Sequence, residues 1–514
     1  MGLLMRQIKG SGHEPLIFLS IFLLFLVFVL VTARDEKIIR DFPKTQPDFL
    51  LSDNKIKQNL DQLLPKLMSQ VDIPGLAISI IKNSRIVWIK GFGKTSRESD
   101  QKVDANTVFE AGSLSKPVFA YGVLKLVDSG RLDLDKPLTD YIPVFHITDE
   151  KVNKVTARMI LSHSSGFPLW WPEGKELKIN FTPGKRFSYS SEGFVFLQEV
   201  VEQITGERIN DFMEKNVFAP LGMSNSSYTW KNEFENNIAS GHDIFGIAQE
   251  PWKRTRGNAA ASLYTTASDY ANFMVTILSG DGLKQYTSKE MLKPHSSVNP
   301  DCIECLNQDS SAVSDSLYWG LGWGLEKTAK GLAFWHWGDN IIFTSYAIGL
   351  PGTNSAVVYF TNSSNGLSIR DEIVRTTVGG NHPAFKWVKY DQHDSPAMTF
   401  RQTVLKKGTG PGFRVYHEMK MTRGLQSGLI PEQTINEIGY MLLQLNRDDE
   451  AIELFRFNIE EYPDSWNVYD SLAEVYANTG DKQRAINYYS IALDKVTEKD
   501  HKNRILKIIN YLQN

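Results

Sequence analysis

Between Ile73 and Gly93 the chain reads IPGLAISIIKNSRIVWIKGFG, two runs rich in isoleucine and valine around the short polar stretch KNSR. Such runs either side of a turn predict a β-hairpin. Farther on, Leu114–Asp128 is almost unbroken in apolar residues, the pattern of a helix buried on every side. Gly130 stands where a C-terminal cap belongs. Pro117 is no obstacle, because first-turn amides have no intrahelical partner to lose. Residues 131–290 read mainly as helices and irregular segments, with turn signals at TPGK and LGMS. Strands return at Gly331–Gly338, Phe343–Leu350 and Ser355–Asn362, the last two joined by PGTN, and a helical stretch near LSIRDEIVRTTV closes the region. Strands first, a helical middle and strands last predict one sheet whose ends meet around an α-rich insertion.

Residues 391–428 turn polar and punctuated, as in DQHDSPAM and KKGTGPG, and read as a linker. Beyond it, 429–514 is helical in pattern and repeats. Ala451 and Ala485 lie 34 residues apart, and in the same register Gly439 pairs with Ala473, Leu442 with Tyr476 and Phe455 with Tyr489. Pro463 falls where a second helix should stop. This period resembles tetratricopeptide repeats, here two units and a terminal capping helix, which implies an all-α repeat segment able to recruit a protein partner.

The other end of the chain departs from a globular pattern. Arg6 and Lys9 precede the apolar run Leu16–Val31, and small residues follow at Val31 and Ala33. Residues 1–33 therefore read as a signal peptide cleaved after Ala33 or, left uncleaved, as a membrane anchor through residues 16–33. Either reading exports the rest of the chain to a periplasmic or extracellular location. Composition is otherwise ordinary, with 42% hydrophobic and 22% charged residues. Against 59 acidic residues stand 56 Lys and Arg, a net charge of −3 that gives no electrostatic case for nucleic acid. The two cysteines, Cys302 and Cys305, form a CxxC pair without a thioredoxin-like βαβ context or a second ligand pair nearby. In an exported chain they read as a local loop disulfide. Asp133 and Asp135 follow a helix as turn and cap residues do, and no metal or cofactor is expected.

The chemistry sits at the start of the apolar helix. Ser113 precedes it, near free backbone amides and the positive end of the helix dipole, and Lys116 lies three residues on, on the same face. A buried lysine is costly unless paired or neutral. Desolvation lowers its pKa, and a neutral amine can accept the serine proton. Three other Ser-x-x-Lys matches, Ser52/Lys55, Ser79/Lys82 and Ser99/Lys102, lie in polar or strand-like settings and read as surface residues.

The motifs EAGSLSK, LSHSSG, FSYSSEGF and FWHWGDN, in that order after IPGLAISI, resemble the serine β-lactamase and penicillin-binding-protein superfamily, nearest its class C-like branch. The resemblance covers roughly residues 45–390. It implies an α/β (α+β) β-lactamase-like fold, an antiparallel sheet with an α-rich insertion. It assigns Ser113 as the acylated nucleophile, Lys116 as its partner, and Tyr189 as a general base that later protonates the leaving group. His336 takes the place of the lysine in the family's Lys-Thr-Gly strand motif, and Gly338 matches the glycine that leaves room for substrate. The backbone N–H groups of Ser113 and Asp339 match the oxyanion hole. A phenolate on Tyr189 beside a lysine ammonium is the expected base. His163 in LSHSSG reads as a structural residue positioning a turn.

Two departures bear on substrate. The family's Tyr-x-Asn reads Tyr189-Ser190-Ser191, so Ser191 offers a hydroxyl where an amide would contact substrate, and His336 replaces a permanent cation. Recognition of the carboxylate on β-lactams and D-Ala-D-Ala peptides is expected to weaken. The leading reading is hydrolysis of an ester or amide in a small-molecule or peptide substrate. Its rival is a catalytically silent module that binds cell-wall or peptide ligands and recruits a protein through the repeats.

Overall fold

A computed structural model describes residues 52–143, 147–171, 176–306, 312–424 and 428–513. The apolar run Leu16–Val31 lies outside them, and among the described residues no helix is long and apolar enough to cross a membrane. The chain divides into two compact units after Tyr390.

In the first unit Ser52 caps helix α1 (Asp53–Val71) by accepting from the Lys55 N–H. The hairpin β1 (Gly75–Lys82) and β2 (Arg85–Gly93) follows. Its two turn residues, Asn83 and Ser84, both have positive φ (50° and 54°), the left-handed turn whose twist matches antiparallel strands. A 3₁₀ turn, Gly112–Leu114, leads into α2 (Ser115–Asp128), so the predicted helix begins one residue later than expected and ends where expected. Helices α3 (Glu192–Thr205) and α4 (Ala267–Ser279) end on Gly206 and Gly280 in the left-handed conformation.

The remaining strands of the main sheet are β3 (Ser296–Ser297), β4 (Leu317–Trp319), β5 (Gly324–Thr328), β6 (Gly331–Asp339), β7 (Thr344–Leu350) and β8 (Ser355–Thr361), followed by α5 (Arg370–Thr377). They build one eight-stranded sheet in the order β2-β1-β8-β7-β6-β5-β4-β3, antiparallel at every pairing. The hairpin at the start pairs with the last strand, Leu76 opposite Thr361 through Ile81 opposite Ala356, so the sheet's two sequence ends do meet. Three strands, β3 to β5, extend the sheet beyond those predicted. Cys302 and Cys305 are joined by a disulfide. One apolar core runs from the sheet through α2, α3 and α4 and includes Leu114, Phe119, Phe194, Phe273, Trp323 and Phe360.

The second unit corrects the expected linker. Residues 391–428 carry two helices, α6 (Pro396–Lys407) and α7 (Thr409–Thr422), whose Phe400, Val404 and Tyr416 are fully buried. They share a core with α8 (Glu432–Gln444), α9 (Asp448–Glu461), α10 (Trp466–Asn478), α11 (Lys482–Lys495) and α12 (Lys499–Gln513). The residues in the 34-residue register are the ones that pack between helices. Leu442, Ala451, Phe455, Ala473, Tyr476, Ala485 and Tyr489 are buried, and a Cβ at Gly439 would come within 2.5 Å of the Phe455 ring.

Candidate active site

The turn that carries Ser113 is clamped against strand β6. Gly112 has φ +54°, and a Cβ there would lie 2.8 Å from the Asp339 backbone nitrogen. A Cβ at Gly338 would lie 2.0 Å from the Ala111 carbonyl oxygen, which Ser345 Oγ also holds at 3.1 Å. Only glycine allows the two backbones this close. The position a Cβ would take at Gly338 is therefore occupied by the turn that carries Ser113. Ser115 Oγ donates to Gly112 O at 2.6 Å, while Tyr228 and Tyr270 donate to Ser115 O and Leu114 O at 2.7 and 3.1 Å. Ser113 is half-buried at the end of this braced turn.

Lys116 is fully buried, and its Nζ lies 3.0 Å from Ser113 Oγ and 2.9 Å from Ala260 O. No carboxylate pairs with it among the described residues, so burial pushes its pKa well below the usual lysine range and favours the neutral amine. Nζ sits 5.0 Å from the centre of the Tyr189 ring.

Tyr189 is held by the segment around it. Its N–H donates to Ile303 O at 2.9 Å, Ser188 N–H to His163 O at 2.8 Å, and Ser190 N–H to His163 Nδ1 at 3.0 Å. Because His163 Nδ1 accepts, its proton sits on Nε2, a buried atom with no partner among the described residues. The imidazole stacks 4.3 Å from the Tyr189 ring, and burial, then repulsion from Lys116 and His336, keeps it neutral. His163 is structural, as its motif predicts.

His336 is fully buried on β6 with Nδ1 2.6 Å from Trp337 O. That contact puts the proton on Nδ1 and leaves Nε2 as an acceptor 3.5 Å from the Tyr189 hydroxyl. Burial, then repulsion from Lys116, pushes His336 down to about 3. Burial raises Tyr189 well above the usual phenol range, against a hydrogen bond with Ser113 that pulls the other way. Burial, the largest cause at each group, thus works against the charged forms of Lys116, His336 and Tyr189 alike, and against the phenolate expected on Tyr189.

Asp339 is half-buried, and its carboxylate takes the Tyr390 hydroxyl at 2.6 Å and the Ile341 N–H at 2.8 Å. Burial raises its pKa and these two bonds oppose the rise. Ser191 is buried at the N-cap of α3 with its N–H on Leu169 O at 3.0 Å. Among the described residues no group of three or more His, Cys, Asp or Glu side chains could hold a metal.

A model of the Beta-lactamase family matches residues 60–376, more than half the chain. The chain belongs to the beta-lactamase family. It is 26% identical over 336 residues to Penicillin-binding protein 4 of Amycolatopsis lactamdurans, covering 61% of this chain and 87% of that protein. Protein flp of Staphylococcus aureus strain MRSA252 is 24% identical over 334 residues, with 60% of this chain and 63% of that one covered. A solved D-alanine carboxypeptidase AmpC from Burkholderia cenocepacia superposes with a TM-score of 0.55 at 16% identity, over 64% of this chain and 99% of that one. A class C beta-lactamase gives 0.55 at 20%, over 64% and 97%. At these identities the two structures establish the beta-lactamase fold alone.

The beta-lactamase fold brings Ser113, Lys116, Tyr189, His336 and the Asp339 backbone into one site. Sequence reasoning missed two residues there. Tyr390 binds the Asp339 carboxylate from the far end of the unit, where no local pattern marks it. Glu304 acts on Tyr189 from the disulfide loop, and the Cys pair read only as a staple was the signal that could have drawn attention to it.

Proposed function

We propose that this chain is an exported serine hydrolase that cleaves an ester or amide bond through an acyl-Ser113 intermediate. One observation carries the reading: a buried lysine amine, unpaired by any carboxylate among the described residues, 3.0 Å from a serine oxygen in a braced turn. Burying a lysine this way costs stability, and base catalysis is the return that explains it.

In the reaction, Lys116 takes the Ser113 proton as Oγ bonds to the substrate carbonyl carbon. The backbone N–H groups of Ser113 and Asp339 hold the negative oxygen of the tetrahedral intermediate. Tyr189 gives its phenolic proton to the departing oxygen or nitrogen, and the Lys116 ammonium over its ring restores it. Water then attacks the acyl-enzyme, its proton passing by the same groups, which frees the acid and returns the proton to Ser113 Oγ. His336 accepts from Tyr189 and keeps the phenol aimed. His336, uncharged, offers no cation to a substrate carboxylate, so β-lactams and D-Ala-D-Ala peptides are poor substrates. Export is supported by the apolar N-terminal run and by the Cys302–Cys305 disulfide, a bond at home in oxidising compartments. The 34-residue helix pairs support a tetratricopeptide-like unit that binds a protein partner.

Intact mass after incubation with a fluorophosphonate probe tests the central claim. A single adduct on the wild type and none on Ser113→Ala is the expected result. A folded wild type that takes no label would overturn it and leave the silent binding module as the better account.

A further inference from the structure

Strand β6, which carries the Asp339 backbone, ends in a turn that its own residues disfavour. The Ile342 N–H donates to Asn340 O at 2.8 Å, closing a three-residue turn, and Ile341 at its centre has φ +68°. A β-branched residue in the left-handed region is a backbone outlier, and a γ-turn of this sign is the strained form. Such strain persists only where surrounding bonds hold it. Asp339 supplies one of them, its Oδ1 accepting from the Ile341 N–H at 2.8 Å.

Asn340 supplies others, and its partners connect the turn to the chemistry. Its Nδ2 donates to Glu110 Oε2 at 2.8 Å and to Ala261 O at 3.3 Å. Glu110 stands three residues before Ser113, paired with Tyr264 in a short antiparallel ladder. Ala261 is the neighbour of Ala260, whose carbonyl oxygen accepts from Lys116 Nζ at 2.9 Å. One side-chain amide thus ties together the segments that carry the serine, the lysine's carbonyl partner and the Asp339 N–H. Glu110 is only 5% exposed, its Oε1 accepts from the Trp252 N–H at 3.1 Å, and Arg254 Nη2 lies 4.0 Å from Oε2. An apolar side chain of the same size would avoid the desolvation that this carboxyl suffers, so packing does not account for it.

We propose that Glu110 and Asn340 are positioning residues, whose hydrogen bond fixes the Asp339 N–H relative to the Ser113 N–H and so sets the spacing of the oxyanion hole. This deepens the hydrolase reading and rests on it. Neither side chain touches the substrate. A hole that loses its spacing loses its hold on the charge that develops in the transition state, while the uncharged ground state binds as before.

Glu110→Met and Asn340→Leu remove the bond and keep the side-chain volume. With p-nitrophenyl butyrate as substrate, and the fluorophosphonate label run to completion to count active sites, each variant should lose about 30-fold in kcat per labelled site while KM stays within about threefold. Because both changes remove the same brace, the double variant should also lose about 30-fold, against roughly 900-fold for two independent effects. A pair that merely stabilises the fold would lower the melting temperature and the labelled fraction but leave kcat per labelled site unchanged, and that result overturns the proposal. Losses that multiply, or that fall on KM, overturn it as well. If the double variant does not fold, the split between kcat and KM in the single variants decides. Asn340→Asp, which exchanges the donor for an acceptor at the same volume, stands in for a single variant that does not fold and should show the same split. A wild type that neither takes label nor turns over ends the hydrolase reading and the brace with it, whereas a labelled, active wild type whose kcat the variants do not move ends the brace alone.

Discussion

Ser52 and Lys55 have the spacing of Ser113 and Lys116 in a different setting. Ser52 caps α1 by accepting from the Lys55 backbone N–H, and the Lys55 side chain is exposed to water. At 113–116 the serine stands one turn ahead of the helix, and the lysine turns inward until its amine meets the serine oxygen. A third pair, Ser79 and Lys82, lies on β1, where an odd separation sends the two side chains to opposite faces. Ser79 Oγ donates to Ala267 O at 2.6 Å, while Lys82 pairs with Asp53 at 3.1 Å. Spacing alone therefore says little. What brings a serine and a lysine into hydrogen-bond contact is a helical turn followed by an apolar helix, which puts them on one face and strips the water from the amine.

Replacing the two lysines breaks the comparison most sharply. Lys116→Met should lower kcat/KM by about 10³-fold, as loss of a general base does, while Lys55→Met leaves it unchanged. Steady-state kinetics on one activated ester reads both.

Stability should move the opposite way. Lys116 has a folded-state pKa below its unfolded value. Between those two values the unfolded chain holds a proton that the native site does not, so wild-type stability rises with pH across that window by about 1.4 kcal/mol per unit. Lys116→Met lacks this slope. Its melting temperature should exceed the wild type's at pH 7, and the gap should close as pH climbs toward the ordinary lysine range. Equal slopes in denaturant titrations at several pH values would show that Lys116 is charged in the folded protein. The smallest expected effect belongs to the capping pair: Ser52→Ala should cost about 1 kcal/mol in denaturant unfolding and leave turnover intact.

The same contrast explains what could be read from the chain. The hairpin, β6 to β8 and α2 announce themselves because β-branched runs and an apolar run are local signals. Ser113 and Lys116 were legible because chemistry and pattern coincide there. Strands β4 and β5 escaped notice: they are short, sit either side of Gly320 and Gly322, and owe their strand form to pairing with β6 rather than to their own residues. Helices α6 and α7 were hidden by Pro396 and by Gly408, Gly410 and Pro411. Both prolines occupy first helical turns, where they start a helix as readily as they break one, and the buried Phe400 and Tyr416 supply the stability that propensity withholds. The charge states were the least legible part. Tyr189 and His336 are neutral because of burial, which depends on residues far away in the chain.

Tyr390 gives the molecule a natural place to be cut. It is the last residue of the first unit, and its hydroxyl serves the carboxylate of Asp339, whose backbone lies against the nucleophile turn. A protease or a stop codon acting just after it would leave the first unit whole, with the Tyr390 hydroxyl still on Asp339. The same break a residue earlier would strip a hydrogen bond from Asp339 at the end of β6, and one near residue 429 would part α6 and α7 from the helices that share their core. The boundary along the chain thus falls just after a residue that braces Asp339.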